Sequence, residues 1–190
     1  MAQPYFLGCP PWQHPDWTSR LPPGQSPLAR YSSALNCVEG NTTFYATPSQ
    51  EQCRQWRSQV PDDFRFLLKF PRLITHDRLL SGAGREVSDF LERVAPLNDV
   101  LGPILLQLPA SFGPERLQNL WSFVDALPAP LTCAVEVRHS AFFDKGEAEK
   151  ALNRGLRERR IARVCMDSRA LFAAAPVSEE TRDAQRKKPR

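Results

Sequence analysis

Short apolar runs of strand length recur along the chain: Tyr5-Phe6-Leu7, Cys37-Val38, residues 64–68, Ile104-Leu105-Leu106, Cys133-Ala134-Val135 and residues 161–166. They are apolar almost throughout, without polar alternation, which is the pattern of parallel strands covered on both faces. Between them the hydrophobic spacing changes to three and four. Cys53, Trp56 and Val60 share one helical face, Val87, Phe90, Leu91 and Val94 a second, and Leu117, Leu120, Trp121 and Val124 a third. A weaker stripe of Ala148, Ala151, Leu152 and Leu156 runs through residues 146–159. Two helix starts are marked. Thr47-Pro48-Ser49-Gln50 offers a threonine N-cap, a proline at the first helical position and a glutamine for a capping box; Pro114 after Gly113 opens the later helix in the same way. The pattern predicts repeated β-α units ending on a strand within residues 161–166.

A polar or reactive residue closes each predicted strand: Cys9, Glu39, Lys69, Gln107, Glu136 and Asp167. Successive members lie roughly 32 residues apart, the length of a strand, a helix and two turns. Six such units suit either an open doubly wound sheet or most of an eight-stranded barrel. An open sheet gathers its chemistry at a switch point, whereas a barrel draws it from the C-terminal ends of many strands. Polar residues at every strand end favour the barrel. The expected fold is therefore an α/β TIM (β/α)8-type barrel, truncated after about six strands, because eight units need roughly 250 residues. Residues 1–178 are expected to form this single incomplete domain. Residues 179–190 are read as a charged, disordered tail or the start of a missing segment.

Composition narrows the class without changing that picture. The 190 residues are 42% hydrophobic and 24% charged, with 18 prolines against 9 glycines. This is a globular composition with tightly punctuated connections, and it excludes collagen, low-complexity disorder and a small disulfide scaffold. No stretch has the roughly 20 apolar residues of a membrane span, and the N-terminus lacks the features of a secretory leader, so a cytoplasmic location is expected. Five widely spaced cysteines without a CxxC pair read as reduced thiols. The net charge is +4, and residues 179–190 hold five Lys/Arg against three Asp/Glu. The remainder is nearly balanced, which weakens a nucleic-acid reading based on charge.

The strand ends carry distinctive wording: Cys37-Val-Glu-Gly-Asn-Thr-Thr-Phe-Tyr45, Phe64-Arg-Phe-Leu-Leu-Lys-Phe-Pro71 with Ile74-Thr-His76, Leu106-Gln-Leu-Pro-Ala-Ser-Phe112, Val135-Glu-Val-Arg-His139 and Asp167-Ser168. Together, over essentially the whole chain, they resemble the YecE-like family, domain of unknown function 72, of uncharacterised TIM-barrel proteins. The resemblance implies a (β/α)8-type barrel with no assigned reaction, and members that continue beyond Arg190 with further strands. Where many members read Gly-Thr-Ser-Gly-Trp, this chain reads Gly8-Cys9-Pro10-Pro11-Trp12. A hydroxyl function at that first strand end is not expected here.

Glu136-Val-Arg-His139 is the leading candidate for chemistry. Strand alternation puts Glu136 and Arg138 on one face with His139 opening the loop above, combining a carboxylate, an anion clamp and a proton shuttle. The plainer alternative is a Glu136–Arg138 structural pair with His139 capping the loop. Glu39, with Asn41, Thr42, Thr43 and Tyr45, forms a second cluster suited to a polyol, sugar or phosphate; otherwise those side chains satisfy their own loop. Lys69 is an anion ligand or the partner of Glu39 or Glu136. His76 can act as acid, base or ligand from its loop. Gln107 is a neutral hydrogen-bonder, Asp167 with Ser168 a group that can hold Arg138 or Lys69 in place, and Trp12 either an aromatic platform or packing.

Glu39, His76, Glu136, His139 and Asp167 could together hold a divalent metal, although no ligand-spacing motif supports one. No P-loop or GxGxxG is present, so no nucleotide cofactor is indicated. The expected protein binds a small anionic, sugar-like or phosphorylated substrate. Glu136, Glu39, His139 and His76 are its catalytic candidates, and Arg138, Lys69, Asn41, Tyr45, Gln107, Trp12 and Asp167 its binding residues. Hydrolysis or isomerisation suits these groups. The alternatives are a metal-dependent nucleic-acid-binding or repair-related barrel and a non-enzymatic ligand-binding protein.

Overall fold

A computed structural model describes residues 5–17, 20–23 and 26–187. Its six strands are β1 (Gly8–Cys9), β2 (Cys37–Gly40), β3 (Arg65–Leu68), β4 (Ile104–Gln107), β5 (Cys133–Glu136) and β6 (Ala162–Arg163). Each lies in or directly beside a predicted apolar run. The first run is the exception in placement. Tyr5, Phe6 and Leu7 are exposed, and the Asn36 side chain accepts from the Leu7 N–H and donates to the Tyr5 carbonyl, in place of a strand partner.

The expected barrel is not what these strands build. They form two parallel three-stranded sheets, in the orders β1-β2-β3 and β4-β5-β6, with isolated bridges between them, among the described residues, from Phe66 to Leu101 and from Lys69 to Leu105. No barrel is closed among the described residues, so the architecture is α/β with two small sheets. The physical reason lies at the outer strands. Closure requires the first and last strands to pair, whereas β1 and β6 have two residues each and pair only with β2 and β5, respectively.

Helices cover the sheets as the apolar spacing requires. They are α1 (Pro27–Ser32), α2 (Thr42–Tyr45), α3 (Gln50–Arg57), α4 (Gly84–Val94), α5 (Leu117–Asp125), α6 (Glu147–Glu158), α7 (Arg169–Phe172) and α8 (Glu179–Lys187). The α3 start is shifted from the predicted one. Ser49, not Thr47, is the N-cap; its hydroxyl accepts from the Gln52 N–H while the Gln52 side chain accepts from the Ser49 N–H, a complete capping box. Helix α8 occupies most of the segment read as a disordered tail; residues 188–190 lie outside the described residues.

Cys53 on α3, Val87, Phe90 and Val94 on α4, Leu120 on α5 and Leu152 and Leu156 on α6 are buried against a core that includes Phe64, Phe66, Phe70, Ile104, Leu106 and Val135. Tyr31 of α1 ties the first two strands together. Its hydroxyl accepts from the Cys9 N–H at 2.6 Å and donates to the Cys37 carbonyl at 2.8 Å. Burial, helped by the Cys9 and Cys37 thiols and opposed by the hydrogen bond from the Cys9 backbone, pushes that phenol up to about 12, so it stays protonated and keeps donating. No helix among the described residues is long and apolar enough to cross a membrane.

Candidate functional site

Parallel strands bring their C-terminal ends to one rim, and register decides which side chains meet there. Glu39 lies opposite Leu67, Lys69 bridges to Leu105, and Gln107 lies directly opposite Glu136. Four adjacent strand ends therefore contribute two carboxylates, an ammonium and an amide in a continuous row. Lys69, Gln107 and Glu136 are only 8%, 9% and 8% exposed. Burying such groups is costly unless they are partnered, and each has a partner.

The Lys69 ammonium meets Glu39 Oε1 at 2.8 Å. Its backbone is fixed independently by Thr43 of α2, whose hydroxyl accepts from the Lys69 N–H at 3.0 Å and lies within 2.7 Å of the Lys69 carbonyl. Two strands away, Glu136 uses both oxygens: Gln107 Nε2 donates to Oε2 at 2.8 Å and Arg138 Nε donates to Oε1 at 2.9 Å. Arg138 is two residues beyond Glu136, so it emerges on the same face and folds back over the carboxylate. Burial alone opposes ionisation of Glu136. The Gln107 hydrogen bond, the Arg138 charge and hydrogen bond, and the nearby Lys69 charge outweigh it, holding the carboxyl below its ordinary range. Glu136 is thus an ionised acceptor at neutral pH, suited to aiming Arg138 more than to giving up a proton.

His76 reaches the same neighbourhood from a π-helical turn, Leu73–Asp77, in which the Arg78 N–H donates to the Leu73 carbonyl. Leu79 and Leu80 then follow at φ 48° and 67°, a left-handed pair that reverses the chain. His76 Nδ1 lies 2.9 Å from the hydroxyl of fully buried Thr75, and its ring stands edge-on to Phe44, centroids 4.9 Å apart. Burial and the positive charges of Arg138 and Arg72 push this imidazole down, against the weaker pull of Asp77 and Glu136. His76 is therefore neutral near pH 7, with Nε2 meeting no protein partner among the described residues.

The remaining predicted residues are placed differently. His139 Nδ1 accepts the Ala141 N–H at 3.2 Å as the cap of a short 3-10 turn, Ser140–Phe142. This bond requires an unprotonated Nδ1 and matches the capping alternative. Asn41 stands at the start of α2, its side chain making no capping bond, and lines a cleft with Trp12. Trp12 is half-buried, its ring edge-on to Trp56 at 5.3 Å. Tyr45 is 81% exposed with its ring against Phe44, outside the row. Asp167 is also apart. Strand β6 ends at Arg163, and the exposed Asp167 carboxylate is held by Arg169 through hydrogen bonds of 2.9 and 2.7 Å, which depress its pKa.

Thr75 and Phe44 frame His76 without having been singled out from the sequence for that task; the signal was the run Ile74-Thr-His76 itself. Arg163 sits on β6, bonded to Glu149, Asn153 and the Phe142 carbonyl. Among the described residues no three His, Cys, Asp or Glu side chains converge as metal ligands do.

The family model described as Protein of unknown function DUF72 matches residues 6–190. The chain is 51% identical over 185 residues to the UPF0759 protein YecE of Escherichia coli K12 and 50% identical to that of the O157:H7 strain, covering 97% of this chain and 67% of each relative. Among solved structures it resembles a DUF72 family protein from Enterococcus faecalis V583, with TM-score 0.68 at 26% identity over 85% of this chain and 62% of that one. A Thermotoga maritima MSB8 member gives TM-score 0.63 at 27% identity, over 85% and 64%. The chain spans about three fifths of the length of these solved relatives. It belongs to the DUF72 family.

Proposed function

Taking that membership as the premise, we propose that this DUF72 protein binds a small anionic molecule across the C-terminal ends of β2 to β5 and transfers a proton to or from it. The observation that supports this most strongly is the state of the two cations. Arg138 gives only its Nε to Glu136, so Nη1 and Nη2 retain their hydrogens for a ligand. Lys69 gives one of three ammonium hydrogens to Glu39. Each carboxylate fixes the direction of its cation, and what remains is a pair of oriented donors suited to phosphate or carboxylate oxygens. His76, neutral and close enough to feel the Arg138 charge, is the proton-transfer group. An imidazole base beside anion-binding donors suits hydrolysis or isomerisation.

A thermal-shift titration tests this reading. Wild-type protein and Arg138→Gln are titrated with inorganic phosphate and a panel of phosphorylated metabolites at low ionic strength. Ligand that binds only the folded state raises the melting temperature with concentration. Phosphate compounds are expected to stabilise the wild type and to lose that effect in Arg138→Gln. Equal stabilisation of both proteins would overturn the assignment.

A further inference from the structure

Beside the charged row lies a cleft of about 340 Å³ lined by Pro10, Pro11, Trp12, Gln13, Asn41 and Thr42. We infer that it is the seat of a monosaccharide ring, so that the substrate class is a sugar phosphate whose phosphate faces Lys69. The inference rests on the anion-binding reading above and adds the second half of the ligand.

The cleft joins an aromatic surface to short polar side chains. Trp12 stands edge-on to Trp56, interplanar angle 68°, packs against the core and also lines the cleft. The prolines widen the apolar wall, while Gln13, Asn41 and Thr42 contribute two amides and a hydroxyl. Amides and hydroxyls both donate and accept, as sugar hydroxyls do, and an indole wall suits the C–H face of a ring. The volume is at the lower end of small-molecule sites, which suits one ring. Asn41 makes no capping bond, leaving its amide available to the cleft.

Its position sets the attachment point. Pro10 and Pro11 follow β1, and Asn41 and Thr42 follow β2, so the cleft lies over these two strand ends. Lys69 follows β3, the neighbour of β2 in the sheet. Adjacent strands lie about 4.8 Å apart, so the strand that leads into Lys69 is one spacing from the strand that leads into Asn41 and Thr42, and a ligand that extends from the cleft along the rim meets Lys69 next. A free sugar would leave Lys69 unused, and inorganic phosphate would leave the indole unused.

Calorimetric titration of the full chain separates the two halves. The probes are glucose 6-phosphate, ribose 5-phosphate, glycerol 3-phosphate and inorganic phosphate, applied to wild type, Trp12→Leu, Asn41→Ala and Arg138→Gln. At least one sugar phosphate is expected to bind wild type about tenfold or more tightly than glycerol 3-phosphate. Trp12→Leu and Asn41→Ala are expected to remove that advantage while leaving inorganic phosphate affinity unchanged. If Trp12→Leu does not fold, Asn41→Ala carries the comparison. Sugar phosphates that bind no better than glycerol 3-phosphate, or an advantage that survives both substitutions, would overturn the ring seat. Inorganic phosphate binding lost in Arg138→Gln would then still uphold the anion site. Absence of binding by all four probes would overturn both.

Discussion

Replacing Glu136 by glutamine changes one oxygen for an amide nitrogen and almost nothing in shape, so its effect isolates charge and hydrogen bonding. In the wild type both carboxylate oxygens accept, from Gln107 Nε2 at 2.8 Å and from Arg138 Nε at 2.9 Å. In Glu136→Gln the new NH2 must face one of those donors, and rotation of Gln107 can relieve only its own side. Arg138 then loses its counter-charge while its side chain is 26% exposed. A hydrogen bond to a charged group is worth about 1.5–3 kcal/mol, and breaking a fully buried pair costs about 3–5 kcal/mol. Partial exposure of the guanidinium puts the expected loss at about 2–3 kcal/mol in urea unfolding at pH 7. The pH dependence follows from linkage. The folded-state pKa of Glu136 lies below its ordinary 4.5, so its contribution is complete above about pH 4.5 and is lost as pH falls through the folded value. The gap between wild type and variant is therefore expected to hold from pH 7 to about 5 and to close in more acid solution. A variant within about 0.5 kcal/mol of wild type at pH 7, or a gap that ignores pH, would refute the claim that Glu136 is an ionised, paired group.

Three other expectations bear on separate parts of the molecule. Histidine NMR titration should place His76 below 6.5 and move it upward in Arg138→Gln, since the Arg138 charge helps to depress it; because the unfolded chain binds that proton more readily, the His76 contribution falls as pH drops below about 6.5. An unchanged His76 in the variant would separate the two residues. Gly155→Ala should destabilise the fold by about 1–3 kcal/mol in urea, because an ideal Cβ at that position lies 2.4 Å from the Trp121 ring, which also carries the Arg159 guanidinium at 4.8 Å. Ser49→Ala should cost about 1 kcal/mol by removing half of the α3 capping box, whereas Thr47→Ala should cost less.

Local periodicity made much of the covering layer legible. The stripes at Val87-Phe90-Val94, Leu117-Leu120 and Leu152-Leu156 are the buried faces of α4, α5 and α6. Short elements were not legible, because α1, α2 and the π turn of His76 are too brief to show a repeat. The cap of α3 moved two residues because Thr47 and Ser49 are both acceptable caps, each with a glutamine three residues on, and the box closes at Ser49 and Gln52. Barrel closure failed as an inference for a different reason. A polar residue at each strand end says where the ends gather, but not whether the first and last strands meet. The charged row was visible as residue types, and the pairings Lys69–Glu39 and Glu136–Arg138 were among the plainer alternatives. Register selected them. Asp167 fell away because β6 ends at Arg163, short of the full apolar run, so the row stops at β5.

The most direct test of the anion site is to locate an anion on it. Crystals of the full chain soaked in tungstate, a heavy phosphate mimic, are expected to show an anomalous peak within hydrogen-bond distance of Lys69 Nζ and of Arg138 Nη1 or Nη2, beside His76. Peaks confined to other surfaces, with these donors unoccupied at full soaking concentration, would contradict the assignment of the rim as an anion-binding site.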